Sequence, residues 1–258
     1  MKHISLFSGA GLGEWAVHYL LGWETVGYVE WNKYCQRVLK ARIDDGSFCN
    51  APIFGDIRVF VSDGYAAAYQ GMVDVVSAGF PCQPFSAAGP MLRTDDLRNM
   101  WPATAECLRI IRPSYALLEN VPTLLNSGYF PTILGDLAEM GMDAIWGVFS
   151  ACALGAPHTR ERLFILAYAV GERVESRLQQ SHRGKTSRQQ GDQGIRAHSA
   201  TQNPLRLSSE IWGAGDSEFL RMADGDTDRG HRIKAAGNGQ VPSVVATAWN
   251  VLSKEICA

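Results

Sequence analysis

His3-Ile4-Ser5-Leu6-Phe7-Ser8-Gly9-Ala10-Gly11-Leu12-Gly13 is the stretch that decides the fold of this 258-residue chain. A short strand-like run passes directly into a glycine-rich turn, and the turn opens a helical pattern over about residues 13–21. Working outward, the same alternation recurs. Strand-like runs lie at Ile4–Phe7, Thr25–Val29, Val73–Ser77, Tyr115–Leu118, Ala144–Phe149 and Leu163–Ala167, with helical patterns at about 32–42, 99–111 and 130–140 between them. Strands alternating with helices predict an α/β fold with a doubly wound, mostly parallel sheet. The last two strands are joined by Ser150–Arg162, a Gly/Pro-containing loop with no helical period. A parallel crossover needs a helix of its own, so this pair is expected to be antiparallel.

Composition bounds the rest. Hydrophobic residues make up 46% of the chain and charged residues 19%, as in a soluble globular enzyme rather than a disordered or fibrous protein. No apolar run reaches the ~18 residues of a membrane span, and the chain enters its first strand at once, which sets a cytoplasmic location as the expectation. The six cysteines (35, 49, 82, 107, 152 and 257) form no CxxC pair and no Cys/His spacing suited to zinc, so reduced thiols and no metal are expected. A net charge of −2 gives no global basic field, so any nucleic-acid contact must come from local clusters.

After Gly171 the composition changes. From Glu172 to about Ser209 the chain is rich in Gln, Ser and Arg, and carries Arg173, Arg177, Arg183, Lys185, Arg188 and Arg196. A segment this polar reads as an insert or a disordered loop. An apolar period returns in Val241–Leu252, a closing helix with Pro242 near its first turn. The expected division is 1–170 for a catalytic and cofactor-binding domain, 171–230 for an insert, and 231–258 for a C-terminal segment that completes the first domain.

Two places carry chemistry. Glu30 ends the second strand about 23 residues after Phe7, where a carboxylate can accept both hydroxyls of a ribose. With the glycine turn, this supports an adenosine-containing ligand, NAD or S-adenosylmethionine. Asp56 in Gly55-Asp56-Ile57 is a third acidic stop, and taken singly it is a turn or cap residue. The second place is Gly79-Phe80-Pro81-Cys82-Gln83-Pro84-Phe85-Ser86. Two prolines fix the backbone on either side of a thiol at the C-terminal edge of a buried strand. Cys82 there is either a nucleophile or one more small buried hydrophobe.

GFPCQPFS resembles the catalytic motif of the cytosine-C5 DNA methyltransferases, and five further segments resemble that family in the same order. They are the Phe7–Gly13 turn, Glu30-Trp31, Leu118-Glu119-Asn120-Val121-Pro122, Pro157-His158-Thr159-Arg160-Glu161-Arg162 and Gly237-Asn238-Gly239-Gln240-Val241-Pro242. The resemblance spans residues 3–170 and 231–252. It implies a Rossmann-like S-adenosylmethionine-dependent methyltransferase fold, mostly parallel with one antiparallel strand, plus a small insert. It implies S-adenosylmethionine as cofactor, held by Phe7, Ser8, Gly9, Ala10, Gly11, Gly13, Glu30, Trp31, Asp56, Ile57, Pro81 and Asn238. Cys82 then adds to C6 of cytosine, Glu119 protonates N3, and Arg160 and Arg162 grip the target phosphate or the O2 of the base. Gln83 and Ser86 enter the gap left by a flipped base, and Arg93 or Arg98 meets the DNA backbone from a segment that closes over it. Two departures stand out: Leu12 intervenes where the family has a second glycine, and His158 stands where it usually has glutamine.

Duplex DNA is the implied partner, with a cognate restriction endonuclease as a further candidate, a monomeric state, and no membrane or metal. The 171–230 segment would carry target recognition, with Gln179, Gln180, Gln189, Gln190 or Gln193 reading adenine edges. A recognition segment this short fits a phage-encoded or mobile-element origin in a bacterial cell. The same chemistry on RNA, a noncatalytic DNA-binding regulator of the same fold, and a nicotinamide-dependent oxidoreductase are the rival readings.

Overall fold

Strand β1 (Lys2–Leu6) is buried along four of its five residues, as a strand covered on both faces must be. The computed structural model describes residues 1–81, 99–170, 235 and 237–256. Six further strands join β1 in one sheet: β2 (Glu24–Val29), β3 (Ile53–Phe54), β4 (Val75–Gly79), β5 (Tyr115–Asn120), β6 (Met142–Ser150) and β7 (Glu161–Ala169). Their order is β3-β2-β1-β4-β5-β7-β6. The first five run parallel, and β7 is antiparallel to both of its neighbours, so the expected reversed strand is present.

Side chains alternate across each strand, so the sheet has two separate apolar faces. Ile4, Leu6, Val76, Leu118 and Ile165 pack on one face with Phe60, Trp101, Leu108 and Ile133. Those partners come from helices α3 (Ile57–Ser62), α4 (Trp101–Ile111) and α5 (Phe130–Glu139). Val75, Tyr115, Leu117 and Phe164 pack on the other face with Val17, Trp23, Val245 and Trp249. Here lie α1 (Leu12–Trp15), which continues into a π-helical turn at Ala16–Leu20, and the closing helix α6 (Pro242–Ile256). Trp249 is wedged edge-on between Trp23 at 4.6 Å and Tyr115 at 5.5 Å, which fixes α6 beside α1. Helix α2 (Lys33–Asp44) is started by Asn32, whose side chain accepts from the amides of Tyr34 and Cys35.

The structure corrects several boundaries. Strand β4 begins and ends two residues later than the sequence pattern suggests, because Asp74 is used outside the strand to accept from the Lys2 amide at 2.8 Å. Gly79 is therefore the last residue of the strand, not the first of the loop. β3, α3 and the 3-10 turn Tyr65–Tyr69 escaped the sequence reading because each is too short to show a period.

The strand order reverses at β1, which has β2 on one side and β4 on the other. Such a switch point leaves a crevice at the carboxyl ends of the strands. Beneath it lies a buried polar network. His3 shares hydrogen bonds with Thr25 (3.0 Å) and Ser77 (2.7 Å), and Thr25 donates to Glu14 at 2.9 Å. Burial pushes Glu14 up to about 7 and His3 down to about 3. Both groups are thus neutral at mildly acidic pH, although His3 Nδ1 lies 3.8 Å from Glu14 Oε2.

These shifts have opposite signs in the pH dependence of stability. The Glu14 contribution is complete below the ordinary carboxyl range and is lost as pH rises through about 7. The His3 contribution is complete above about 6.5 and is lost as pH falls toward about 3. Glu14→Gln is expected to gain stability over the wild type on going from pH 5 to pH 8.5, by up to about 3 kcal/mol. Urea unfolding midpoints at the two pH values check this, and parallel curves for the two proteins contradict it.

Candidate active site

The turn after β1 is held in place by the carboxylate at the end of β2. Glu30 accepts from the amides of Gly9 and Asn32, one on each oxygen, both at 2.7 Å. Ser8 adds hydrogen bonds from its amide to Val29 O (3.2 Å) and from its hydroxyl to Ser5 O (3.1 Å). Phe7 sits at φ +56°, a left-handed conformation that a bulky residue adopts only where its surroundings enforce it, and which clusters at ligand sites. Glu30 is buried, which raises its pKa, while the amides it accepts from pull the other way.

The cleft at the switch point is lined by Phe7, Ser8, Gly9, Leu12, Gly13 and Glu14 from the first turn, Gly79 from β4, Glu119 from β5, and Asn238, Gly239 and Gln240 from the loop before α6. Pairing of β4 with β5 sets Gly79 directly opposite Glu119. A Cβ on Gly79 would lie 2.9 Å from Glu119 Oε2 and 3.1 Å from Gln240 Nε2, so the bare glycine lets both side-chain ends approach the strand. Arg162 Nε meets Glu119 Oε1 at 2.8 Å. Burial raises the Glu119 pKa, opposed by Arg162, by a hydrogen bond from Gln240 and by the nearby charge of Arg160. The net direction is upward, toward the protonated form that a general acid must hold.

The expected site residues do not all converge. Arg160 and Arg162 do face Glu119, but Arg160 also donates to the carbonyl of Gly239, tying the loop before β7 to the loop before α6. Ala10 turns its side chain into an apolar cluster with Tyr34, Cys35 and Val38, leaving only its backbone for a ligand, and Gly11 follows it. Trp31 is 72% exposed beside Glu30. Asp56 caps α3, accepting from the Arg58 amide at 2.9 Å and pairing with its guanidinium, while Ile57 is buried in the core. Asn238 lines the cleft. Pro81 is the last described residue before the expected nucleophile. Cys82, Gln83, Ser86, Arg93 and Arg98 lie outside the described residues, as does the 172–209 segment.

The approach to Cys82 is nevertheless fixed. Phe80 is buried against Trp101 at 5.3 Å, and its carbonyl accepts from Asn120 Nδ2 at 3.1 Å. Asn120 thus pins the chain two residues before the thiol to the strand end that carries Glu119. Gln240 is the contact that the sequence reading missed. It follows the Gly-Asn-Gly turn, where nothing in the local pattern reveals that its side chain reaches the start of α1 and the ends of β4 and β5. Among the described residues, no group of His, Cys, Asp and Glu is arranged to hold a metal ion, and no helix is long and apolar enough to cross a membrane.

Leu12, the departure in the glycine turn, has a structural counterpart. A Cβ on Gly239 would come within 2.2 Å of Leu12 Cδ1, so the larger residue in the first turn is accommodated by the missing side chain in the last loop.

Comparison with known proteins places these features in a family. The model of the C-5 cytosine-specific DNA methylases matches residues 1–214. The Type II methyltransferase M.NgoBI of Neisseria gonorrhoeae is 35% identical over 177 residues, covering 65% of this chain and 50% of that protein. M.HaeII of Haemophilus aegyptius, also a Type II methyltransferase, is 33% identical over 171 residues, with 65% and 50% covered. The chain spans about half the length of these curated relatives. The S. pombe Dnmt2 methyltransferase shares the fold, with a TM-score of 0.51 at 22% identity over 67% of this chain and 52% of that one.

The Leu12–Gly239 fit is open to a double-mutant cycle. Gly239→Ala alone is expected to cost about 1–3 kcal/mol through overpacking. In a Leu12→Ala background the same change should cost less by at least about 1 kcal/mol, since contacting residues are not additive. Equal costs in both backgrounds, from chemical unfolding, contradict the contact.

Proposed function

The chain belongs to the C-5 cytosine-specific DNA methylase family, and we propose that it transfers a methyl group from S-adenosylmethionine to C5 of a cytosine in duplex DNA. The observation that carries this reading is the largely buried Glu119 carboxyl at a strand end, paired to Arg162 and set opposite Gly79, three residues before Cys82.

The residues at the switch point fit the cofactor. Space over Gly9 is open, with nothing within 4 Å of the position a Cβ would take. Ser8, Gly9, Leu12 and Gly13 line the cleft, Glu30 would accept from the ribose hydroxyls, and Phe7 and Trp31 offer aromatic faces for the adenine. Asp56 and Ile57 would meet the adenine edge, with Pro81 and Asn238 nearer the methionine end. When bound, S-adenosylmethionine supplies the electrophilic methyl group.

The chain's own residues make C5 reactive. The Cys82 thiolate forms a bond to C6 of a base turned out of the duplex, and the electron pair of the C5–C6 double bond shifts into the ring. Glu119 places its proton on N3, so that the ring becomes a neutral enamine with electron density at C5. Arg162 keeps the carboxyl in line and reaches O2 of the same base. After methyl transfer, loss of the C5 hydrogen to solvent as a proton, departure of the thiolate and return of the N3 proton to Glu119 restore the double bond and free the enzyme. Gln83, Ser86, Arg93 and Arg98 contact the DNA around the vacated position. Segment 171–230 reads the target, its Arg and Lys side chains adding salt-dependent phosphate contacts.

Duplex DNA carrying 5-fluorocytosine blocks the last step, because fluorine cannot leave as a cation. With cofactor, the wild-type protein is expected to form a denaturation-resistant protein–DNA adduct, and Cys82→Ser none. Glu119→Gln should form the adduct about 10²–10⁴-fold more slowly. An adduct that survives Cys82→Ser removes Cys82 from the mechanism.

A further inference from the structure

Gln240 lies across the floor of the cleft. A Cβ built on Gly13 would come within 2.3 Å of its Oε1, and one built on Gly79 within 3.1 Å of its Nε2. The amide therefore spans the gap between the first turn and the end of β4, with its oxygen toward the glycine turn and its nitrogen toward Glu119. It donates a hydrogen bond to the Glu119 carboxylate, while Arg162 Nε holds the other side at 2.8 Å. Donors on both sides favour the anion, the form that accepts hydrogen bonds but has no proton to give, against the burial that raises the Glu119 pKa overall.

We propose that Gln240 is a positioning residue that couples filling of the cleft to protonation of Glu119. The inference rests on the cofactor reading above. A ligand whose reacting group extends from the glycine turn toward Glu119 must cross the space the Gln240 amide fills, and the amide has to withdraw. Glu119 then loses one donor that favours its charged form and keeps the burial that disfavours it, so it takes up a proton. The acid needed at N3 is in this way loaded as the cofactor binds.

Other charged groups near Glu119 are few among the described residues. Arg162 comes from β7 and Arg160 from the loop before it. Glu14 lines the same cleft from α1, and β4 presents Ser77 and the bare Gly79, neither of them charged. Arg160 and Arg162 are anchored on Gly239 and β7, respectively, and neither crosses the cleft. Glu14 and Glu30 are the other carboxyls near the cleft whose pKa burial raises, and the loss of uptake in Glu119→Gln is what separates Glu119 from both.

S-Adenosylhomocysteine suits the test because its sulfur is neutral, so the ligand brings no sulfonium charge of its own. Its binding is measured by titration calorimetry in buffers of different ionisation enthalpy, between roughly pH 5.5 and 8, which gives the protons taken up per ligand bound. The wild type is expected to take up a fraction approaching about one proton at the most responsive pH, since one group titrates. Glu119→Gln should abolish the uptake, Glu14→Gln should retain it, and Gln240→Met should reduce it by half or more because its carboxyl has lost the donor already. Wild-type binding without proton uptake, uptake lost only in Glu14→Gln, or full uptake in Gln240→Met each overturn the coupling while leaving the cofactor reading intact. Failure of the wild type to bind S-adenosylhomocysteine overturns the cofactor reading, and this inference with it.

Discussion

Parallel pairing of β4 with β5 sets Gly79 opposite Glu119, and the position of every other group in the cleft follows from that register. Because Gly79 has no side chain, the Glu119 carboxyl can lie over its Cα and meet Arg162 from β7 on one side and Gln240 on the other. Asn120, next in β5, reaches back to the Phe80 carbonyl, so the same strand end that presents the acid also fixes the chain leading to Cys82. A one-residue slip would turn Glu119 to the opposite face of the sheet and break all of these contacts together.

Three carboxyl groups are withdrawn from water at or beneath the switch point, and burial raises the pKa of each. What differs is the donor set. Glu30 accepts from backbone amides that belong to the turn it stabilises. Glu14 accepts from hydroxyl groups, which offset little of the desolvation penalty, and it stays neutral up to about 7. Glu119 meets a guanidinium and a movable side-chain amide, the arrangement of the three that a ligand can alter most. Burial thus supplies the same push at all three places, and the partner decides whether the group shapes the loop, supports the core or transfers a proton.

The alternation of strands and helices was legible in the sequence because each long element carries a full apolar period, and the reversal of β7 followed from a loop with no helix in it. Glu30, Glu119 and the two arginines were legible because each ends or precedes a strand, where strand-end geometry leaves few directions for a side chain. Short elements such as Ile53–Phe54 were not, since two residues hold no period. The His3–Thr25–Ser77–Glu14 network and the reach of Gln240 were hidden for another reason. They join residues 11 or more apart in the chain through side-chain contacts that exist only once the strands have paired and the helices pack on the sheet. The contact between Leu12 and Gly239 belongs to the same class, since it joins two motifs from opposite ends of the chain.

Product analysis tests the central claim most directly. Unmethylated genomic DNA is incubated with the protein and methyl-labelled S-adenosylmethionine, digested to nucleosides and separated, with transfer RNA treated in parallel. The account predicts label in 5-methyldeoxycytidine from the wild-type DNA reaction and none from Cys82→Ser. Label in N4-methylcytosine or N6-methyladenine, or label confined to the RNA, would contradict it.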